Sequence, residues 1–185
     1  MCTGAGPQAG GPRRLGRLFP AAGAVGLLLA VSLLLVRSTG VDDELAKPGL
    51  SPAPDFRLTT LDGSQLTLAD LRGRAVVLSF WGSWCTSCRA HMPYFERAYR
   101  ANRDRGVAFV GAAVEDQEET SRSFVQEASI TFPIGLDDGS EIARTYGLQG
   151  LPSTAFITRN GSLYKRWPGL IGEPQLTELI DQIAR

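Results

Sequence analysis

The chain has 185 residues, of which 43% are hydrophobic and 21% charged, and its 19 basic and 19 acidic side chains balance. This length and composition are typical of one globular domain with a short appendage. Four of the 19 basic residues lie in the first 40 positions, where there is no acid, which leaves 15 basic against 19 acidic residues in the remainder. A domain with that balance has no basic excess with which to bind nucleic acid.

Three segments are predicted to precede the domain. Residues 1–17 are basic and rich in Gly and Pro, which is typical of a disordered tail. Residues 18–37 include the uncharged run from Phe19 to Val36, which is just long enough to span a bilayer. Arginines before this run and acids after it predict a transmembrane signal-anchor in the cell membrane, with the tail in the cytoplasm and the domain on the extracytoplasmic side. Cleavage after Gly40 is the alternative, and it also exports the domain.

Residues 38–53 are predicted to be a linker, and residues 54–185 a single domain. A hairpin is expected at Asp62-Gly63 and a buried strand at 74–81. A helix follows over 85–105, and Pro93 should kink it. The remaining elements are a buried strand at 106–114, helices at 118–129 and 139–147, a hairpin around Asn160-Gly161 and a closing helix at 173–185. This order predicts an α/β fold with a central mixed sheet flanked by helices.

The segment WGSWCTSCRAHMP, residues 81–93, holds two of the three cysteines and the only histidine. The spacing of Cys85 and Cys88 fits a redox dithiol, half of a zinc site or a haem attachment point. Haem attachment needs His directly after the second cysteine, where Arg89 stands. Zinc needs four ligands, and His91 brings the total only to three. A purely structural disulfide across so small a loop stabilises little, so the redox dithiol is favoured.

The dithiol follows a buried strand and opens a helix. The free N–H groups and the dipole of a helix N-terminus favour a thiolate there. Cys85 is therefore predicted to be exposed and readily ionised, and Cys88, one turn deeper, to be shielded. In such an arrangement Cys85 forms the mixed disulfide with a substrate and Cys88 resolves it.

Three motifs resemble the TlpA/ResA/CcmG-like branch of the thioredoxin superfamily, within the redoxins, whose members are membrane-tethered thiol–disulfide oxidoreductases. They are the lead-in APDF…LDG…LADLRG, the sequence WCxxCRxxMP around the dithiol, and GLPSTAFITRNG at 150–161. The resemblance implies a thioredoxin-like fold with an N-terminal hairpin extension and an insert over 115–147, and it implies no cofactor. It also implies that Pro152 is a cis-proline facing the dithiol and that Leu151 binds the substrate main chain.

Several residues around the dithiol are further candidates. Ser87 stands where the family often has Pro, and the hydroxyls of Thr86 and Ser87 are placed to donate to a Cys85 thiolate, unless they are only solvated. Trp84 is a candidate platform for a substrate polypeptide. Glu115 resembles an acidic position near the dithiol in some relatives.

His91 is the largest departure, because reductive members of the family commonly have Glu at this position. It lies three residues after Cys88, and the two therefore share a helix face. We expect His91 to exchange a proton with Cys88 near neutral pH and, as a cation, to favour thiolates. The alternative is a solvent-facing histidine without a role.

The resemblance implies an exported enzyme that reduces protein disulfides, including the cysteines of apocytochrome c, with electrons from an integral membrane protein. An oxidant that introduces disulfides has the same fold. A thiol peroxidase is a second alternative, although such enzymes place Thr where Gly82 stands. A non-enzymatic copper chaperone that uses Cys85, Cys88 and His91 is the third.

Overall fold

A computed structural model describes residues 50–185 of the chain. Its strands are β1 (Arg57–Thr60), β2 (Gln65–Thr67), β3 (Ala75–Trp81), β4 (Val107–Val114), β5 (Ile134–Asp137), β6 (Ser153–Ile157) and β7 (Leu163–Pro168). Its α-helices are α1 (Thr86–Asn102), α2 (Glu118–Glu127), α3 (Glu141–Thr145) and α4 (Glu173–Ile183).

The predicted tail and membrane span, residues 1–37, lie outside the described residues. Within 50–185 no helix is both long and apolar enough to cross a bilayer.

The strands form one mixed sheet in the order β2-β1-β5-β4-β3-β6-β7. β3 pairs in parallel with β4 and antiparallel with β6, and all seven of its residues are buried. Strands buried on both faces read as continuous apolar runs, which is why the sequence predicts this strand well. The predicted α/β fold with a central mixed sheet is confirmed.

Both predicted hairpins are present. β1 and β2 pair antiparallel around the Asp62-Gly63 turn and extend the sheet beyond β5, and β6 and β7 pair around Asn160-Gly161. Gly63 and Gly161 have φ of 86° and 82°, and glycine adopts this left-handed conformation at little cost.

Strand β5 was not predicted from the sequence. The run IGLD is short, follows Pro133 and contains Gly135, so it carries little strand signal. Tertiary pairing decides its conformation, because β5 lies between β1 and β4. Gly135 is required there, since a Cβ at this position would lie 2.4 Å from the main-chain oxygen of Thr59 on β1.

Helices α1, α2 and α4 contribute to the core on one face of the sheet, and α3 and the turn Leu68–Leu71 to the core on the other. The apolar face predicted for the closing helix is buried as expected: Leu176, Leu179, Ile180 and Ile183. Pro93 lies inside α1 without ending it, and a short 3₁₀ turn, Arg103–Arg105, completes the predicted helical stretch.

The domain also forms main-chain hydrogen bonds with residues that precede position 54. The Ala53 N–H donates to the Gly161 oxygen, and the Leu163 N–H donates to the Ser51 oxygen, each at 2.9 Å. Residues 51–53, assigned above to the linker, are therefore bound to the β6–β7 turn. The polar, Pro-rich composition that indicated a linker does not report these main-chain bonds.

Candidate active site

Cys85 and Cys88 form a disulfide at the N-terminus of α1, with their Cα atoms 5.2 Å apart. Cys85 is the N-cap residue, and its Sγ accepts a hydrogen bond from the Cys88 main-chain N–H at 3.2 Å. Cys88 is fully buried, as predicted, whereas Cys85 is only 8% exposed and so less accessible than predicted. The helix N-terminus thus directs a donor at the sulfur that would carry the thiolate.

The hydroxyl groups of Thr86 and Ser87 differ in their position relative to Cys85 Sγ. Ser87 Oγ lies 3.4 Å from Cys85 Sγ, within hydrogen-bonding distance for sulfur. Thr86 is exposed, and its hydroxyl makes no hydrogen bond to Cys85 in the described structure. Of the two candidates, only Ser87 is placed to stabilise a charge on Cys85 in this conformation.

The Leu151–Pro152 peptide bond is cis, as the family resemblance implies. Ser153 pairs with Phe80 near the carboxyl end of β3, so this bond lies at the sheet edge from which the chain leads to the dithiol. Pro152 is buried, and its oxygen accepts from the Gly169 N–H at 2.8 Å. Leu151 is half-buried, and neither its N–H nor its C=O is bonded within the described residues, so both are available to a second chain.

Exposed apolar side chains flank this edge. Trp84 is 61% exposed, whereas Trp81 on β3 is fully buried. Leu170 is 55% exposed in the segment after β7, one residue from the Gly169 N–H that binds Pro152. Large exposed apolar groups beside a reactive centre are typical of a surface that binds another polypeptide.

His91 corrects the expectation from the sequence. It is 1% exposed, stacks on Phe95 with ring centroids 4.3 Å apart, and neither ring nitrogen has a hydrogen-bond partner among the described residues. Burial lowers the pKa of His91 from 6.5 to about 4. The side chain is therefore neutral at pH 7, so both the cationic and the solvent-facing interpretations are wrong for this form. Proton exchange with Cys88 stays a prediction.

Of the two adjacent acids, Asp116 contacts the dithiol loop, whereas the sequence pattern indicated Glu115. Glu115 accepts a hydrogen bond from Ser140 at 2.7 Å. Asp116 accepts from the Ser83 N–H at 2.6 Å and from the Ser83 hydroxyl at 2.7 Å, two residues before Cys85. The signal that could have found it was the position of Asp116 just before a helix, with hydroxyl residues four and five positions later.

Residues 50–166 match the AhpC/TSA family. The chain belongs to this family. The ResA thiol-disulfide oxidoreductase of Bacillus cereus is 31% identical over 167 residues, covering 85% of this chain and 96% of the relative. The ResA of Bacillus thuringiensis subsp. konkukian is 33% identical over 132 residues, or 71% of this chain and 76% of the relative.

Solved structures of thiol–disulfide oxidoreductases have a similar fold. A Chlorobium tepidum protein described as the thiol:disulfide interchange protein DsbE superposes with a TM-score of 0.69 at 26% identity, covering 74% of this chain and 97% of its own. A secreted Mycobacterium tuberculosis disulfide oxidoreductase homologous to E. coli DsbE gives 0.63 at 27% identity, with 69% and 95% covered. The thioredoxin-like fold is confirmed, and this member of the AhpC/TSA family is a thiol–disulfide oxidoreductase.

The copper-chaperone alternative receives no support from the geometry. Cys85 and Cys88 are bonded to each other. Across residues 50–185, no group of three or more His, Cys, Asp or Glu side chains is arranged to hold a metal ion.

Replacing His91 with Leu should reduce the pH dependence of stability. The pKa of His91 falls from 6.5 to about 4 on folding, so the unfolded chain binds more protons between these values. The resulting stabilisation is complete above pH 6.5 and is lost as the pH falls towards 4. Between pH 7 and pH 5 the parent should therefore lose about 2 kcal/mol that His91→Leu does not lose.

The measurement is urea unfolding of the oxidised protein at the two pH values. Met92→Leu, at the adjacent buried position of α1, is the control and should keep the parent's pH dependence. Equal pH dependence in His91→Leu and parent would show that His91 is not held neutral by burial.

Proposed function

We propose that this AhpC/TSA-family oxidoreductase reduces disulfides of exported proteins through Cys85 and Cys88. The observation that carries the exchange chemistry is the asymmetry of the dithiol. Cys85 caps a helix and keeps 8% of its surface exposed, whereas Cys88 is fully buried. Only one of the two sulfurs is therefore within reach of a second polypeptide, as sequential exchange requires.

The proposed reaction starts from the reduced dithiol. The Cys85 thiolate attacks one sulfur of the substrate disulfide, a Cys85–substrate bond forms, and the other substrate sulfur leaves as a thiolate. Cys88 then loses its proton and attacks Cys85 Sγ, which releases the second substrate thiolate. The products are a reduced substrate and the Cys85–Cys88 disulfide seen in the structure.

The surroundings of Cys85 support a polypeptide substrate. The unbonded main-chain groups of Leu151 can pair with an extended chain, and the exposed side chains of Trp84 and Leu170 offer apolar contact beside it. The substrate that the family resemblance implies is apocytochrome c, whose two cysteines are separated by two residues and followed by His. An integral membrane protein is the proposed source of electrons.

Replacement of the two cysteines should give different results. Cys85→Ser should abolish exchange with a synthetic disulfide peptide of the pattern Cys-x-x-Cys-His, because the attacking sulfur is lost. Cys88→Ser should accumulate the mixed disulfide at Cys85, because the resolving sulfur is lost. Gel shifts under non-reducing conditions and mass spectrometry measure both.

Cys2→Ser is the matched control, since this third cysteine lies outside the described domain, and it should exchange at the parent rate. Turnover of the peptide by Cys88→Ser at the parent rate would overturn the assignment of the two roles.

The direction of electron flow is tested by the reduction potential of the Cys85–Cys88 couple. A reductant should equilibrate near the potential of thioredoxin, about −270 mV, and an oxidant nearer to about −120 mV. We expect the first result, measured by titration in glutathione or dithiothreitol buffers. A potential near the oxidant value would assign the chain to the disulfide-introducing alternative.

We also propose that the domain works on the extracytoplasmic side of the membrane. The arginines before the apolar run support this orientation, and one of the similar structures is of a secreted protein. Alkaline phosphatase fused after Arg185 should be active, because it folds only in an oxidising compartment. The same fusion without residues 18–37 should be inactive. Phosphatase activity in that control alone, and not in the complete fusion, would refute the proposed location.

A further inference from the structure

Asp116 bonds two segments of the active-site edge to each other. It follows β4 closely and accepts five hydrogen bonds between 2.6 and 3.0 Å. Two come from the N–H and hydroxyl of Ser83, in the loop between β3 and α1. Three come from the start of the α2 region, from Gln117, Thr120 and Ser121.

The donors are divided between the two carboxylate oxygens. Oδ2 accepts from the Ser83 N–H and the Ser121 hydroxyl, and Oδ1 accepts from the Ser83 hydroxyl, the Gln117 N–H and the Thr120 hydroxyl. An ionised carboxylate only accepts, as both oxygens do here, whereas a protonated one carries a proton that one oxygen has to donate. Burial alone would raise the pKa of Asp116, but the bonds from Ser83, Ser121 and Thr120 outweigh it and hold the pKa below its ordinary value.

The bonded loop leads directly to the dithiol. Ser83 precedes Trp84 and Cys85, and the Cys85 N–H closes a turn onto the Gly82 oxygen at 3.1 Å. Fixing Ser83 therefore fixes the turn that presents Cys85 at the helix N-terminus. A loop of this kind has few buried apolar side chains to hold it, since Trp84 is 61% exposed.

We propose that Asp116 is a positioning residue for the exchange reaction, which it promotes by holding the Gly82–Trp84 loop so that Cys85 stays at the α1 N-cap. This proposal rests on the proposed dithiol exchange. The direct contacts at the sulfur are the Cys88 N–H at 3.2 Å and Ser87 Oγ at 3.4 Å, and Asp116 acts on Cys85 only through Ser83. A loosened loop should therefore weaken thiolate stabilisation, and the reaction should require a higher pH.

The alternative is that Asp116 acts only through its charge or only stabilises α2. A negative charge near Cys85 opposes ionisation of the thiol, so removing the charge alone would let the reaction proceed at lower pH. A role confined to α2 would change stability without changing the pH profile.

Three variants separate these roles in pH–rate profiles for the peptide reduction described above. Asp116→Asn keeps one accepting oxygen and loses the charge; because each oxygen of Asp116 serves both segments, the loop and the start of α2 each lose a bond. Ser83→Ala removes one bond to the loop and keeps the charge. Thr120→Ala removes one bond to the same carboxylate from the α2 side and leaves the loop bonds intact.

We expect Asp116→Asn to lower the exchange rate constant at pH 7 by about tenfold, since small displacements of a reacting group have effects of this size or larger. The midpoint of its profile should move to higher pH. In Ser83→Ala the midpoint should move in the same direction by less, because the remaining Ser83 N–H bond still goes to an ionised carboxylate rather than to a neutral amide. Thr120→Ala should match the parent.

A midpoint at lower pH in Asp116→Asn, with Ser83→Ala unchanged, would overturn the positioning role. Parent profiles in both variants would overturn it as well. If Asp116→Asn does not fold, the comparison of Ser83→Ala with Thr120→Ala decides the question. Absence of exchange in the parent itself would instead refute the proposed function.

Discussion

The central position of β3 is the constraint on which the site depends. This strand is hydrogen-bonded on both edges, to β4 and β6, and buried along its whole length. Its carboxyl end therefore has one position relative to its neighbours, and the chain that leaves it carries the dithiol to the α1 N-terminus. Because β4 is parallel to β3 and β6 is antiparallel, the end of β4 and the beginning of β6 meet at the same edge. That edge brings Asp116 and Pro152 to the loop that holds Cys85.

The groups at this edge have opposing effects on Cys85. The Cys88 N–H donates to the sulfur at 3.2 Å, and Ser87 lies at 3.4 Å, and both stabilise negative charge there. The Asp116 carboxylate is ionised and accepts hydrogen bonds from Ser83, and its negative charge opposes ionisation of the Cys85 thiol. The contacts to the sulfur are direct and the carboxylate acts at a distance, so the N-cap donor is the stronger influence. The same carboxylate that repels a thiolate also orders the loop on which the thiolate depends.

A comparison of two buried polar side chains on α1 explains why the helical spacing of His91 did not predict its neutral state. Glu96 is buried but accepts hydrogen bonds from Thr131 and Arg100, and these hold its pKa below the ordinary value although burial raises it. His91 is buried with no such partner in the described domain. An unsatisfied buried polar group costs about 1–3 kcal/mol, and more if it is charged, so a neutral imidazole is the less costly form. The i, i+3 spacing from Cys88 reported a shared helix face but not the depth at which that face is buried.

Local signals in the sequence determined much of this protein. The apolar run of β3, the Asp62-Gly63 and Asn160-Gly161 turns and the apolar stripe of α4 fix elements through short-range physics, and the cysteine pair after a strand predicted the dithiol. The tertiary structure alone decided the rest. β5 forms because β1 and β4 both pair with it, although its own residues favour a strand only weakly. Asp116 rather than Glu115 contacts the dithiol loop, because side chains of adjacent residues leave the backbone in different directions. His91 is neutral because the folded domain buries it without a hydrogen-bond partner among the described residues, and the depth of burial is not visible in its spacing from Cys88.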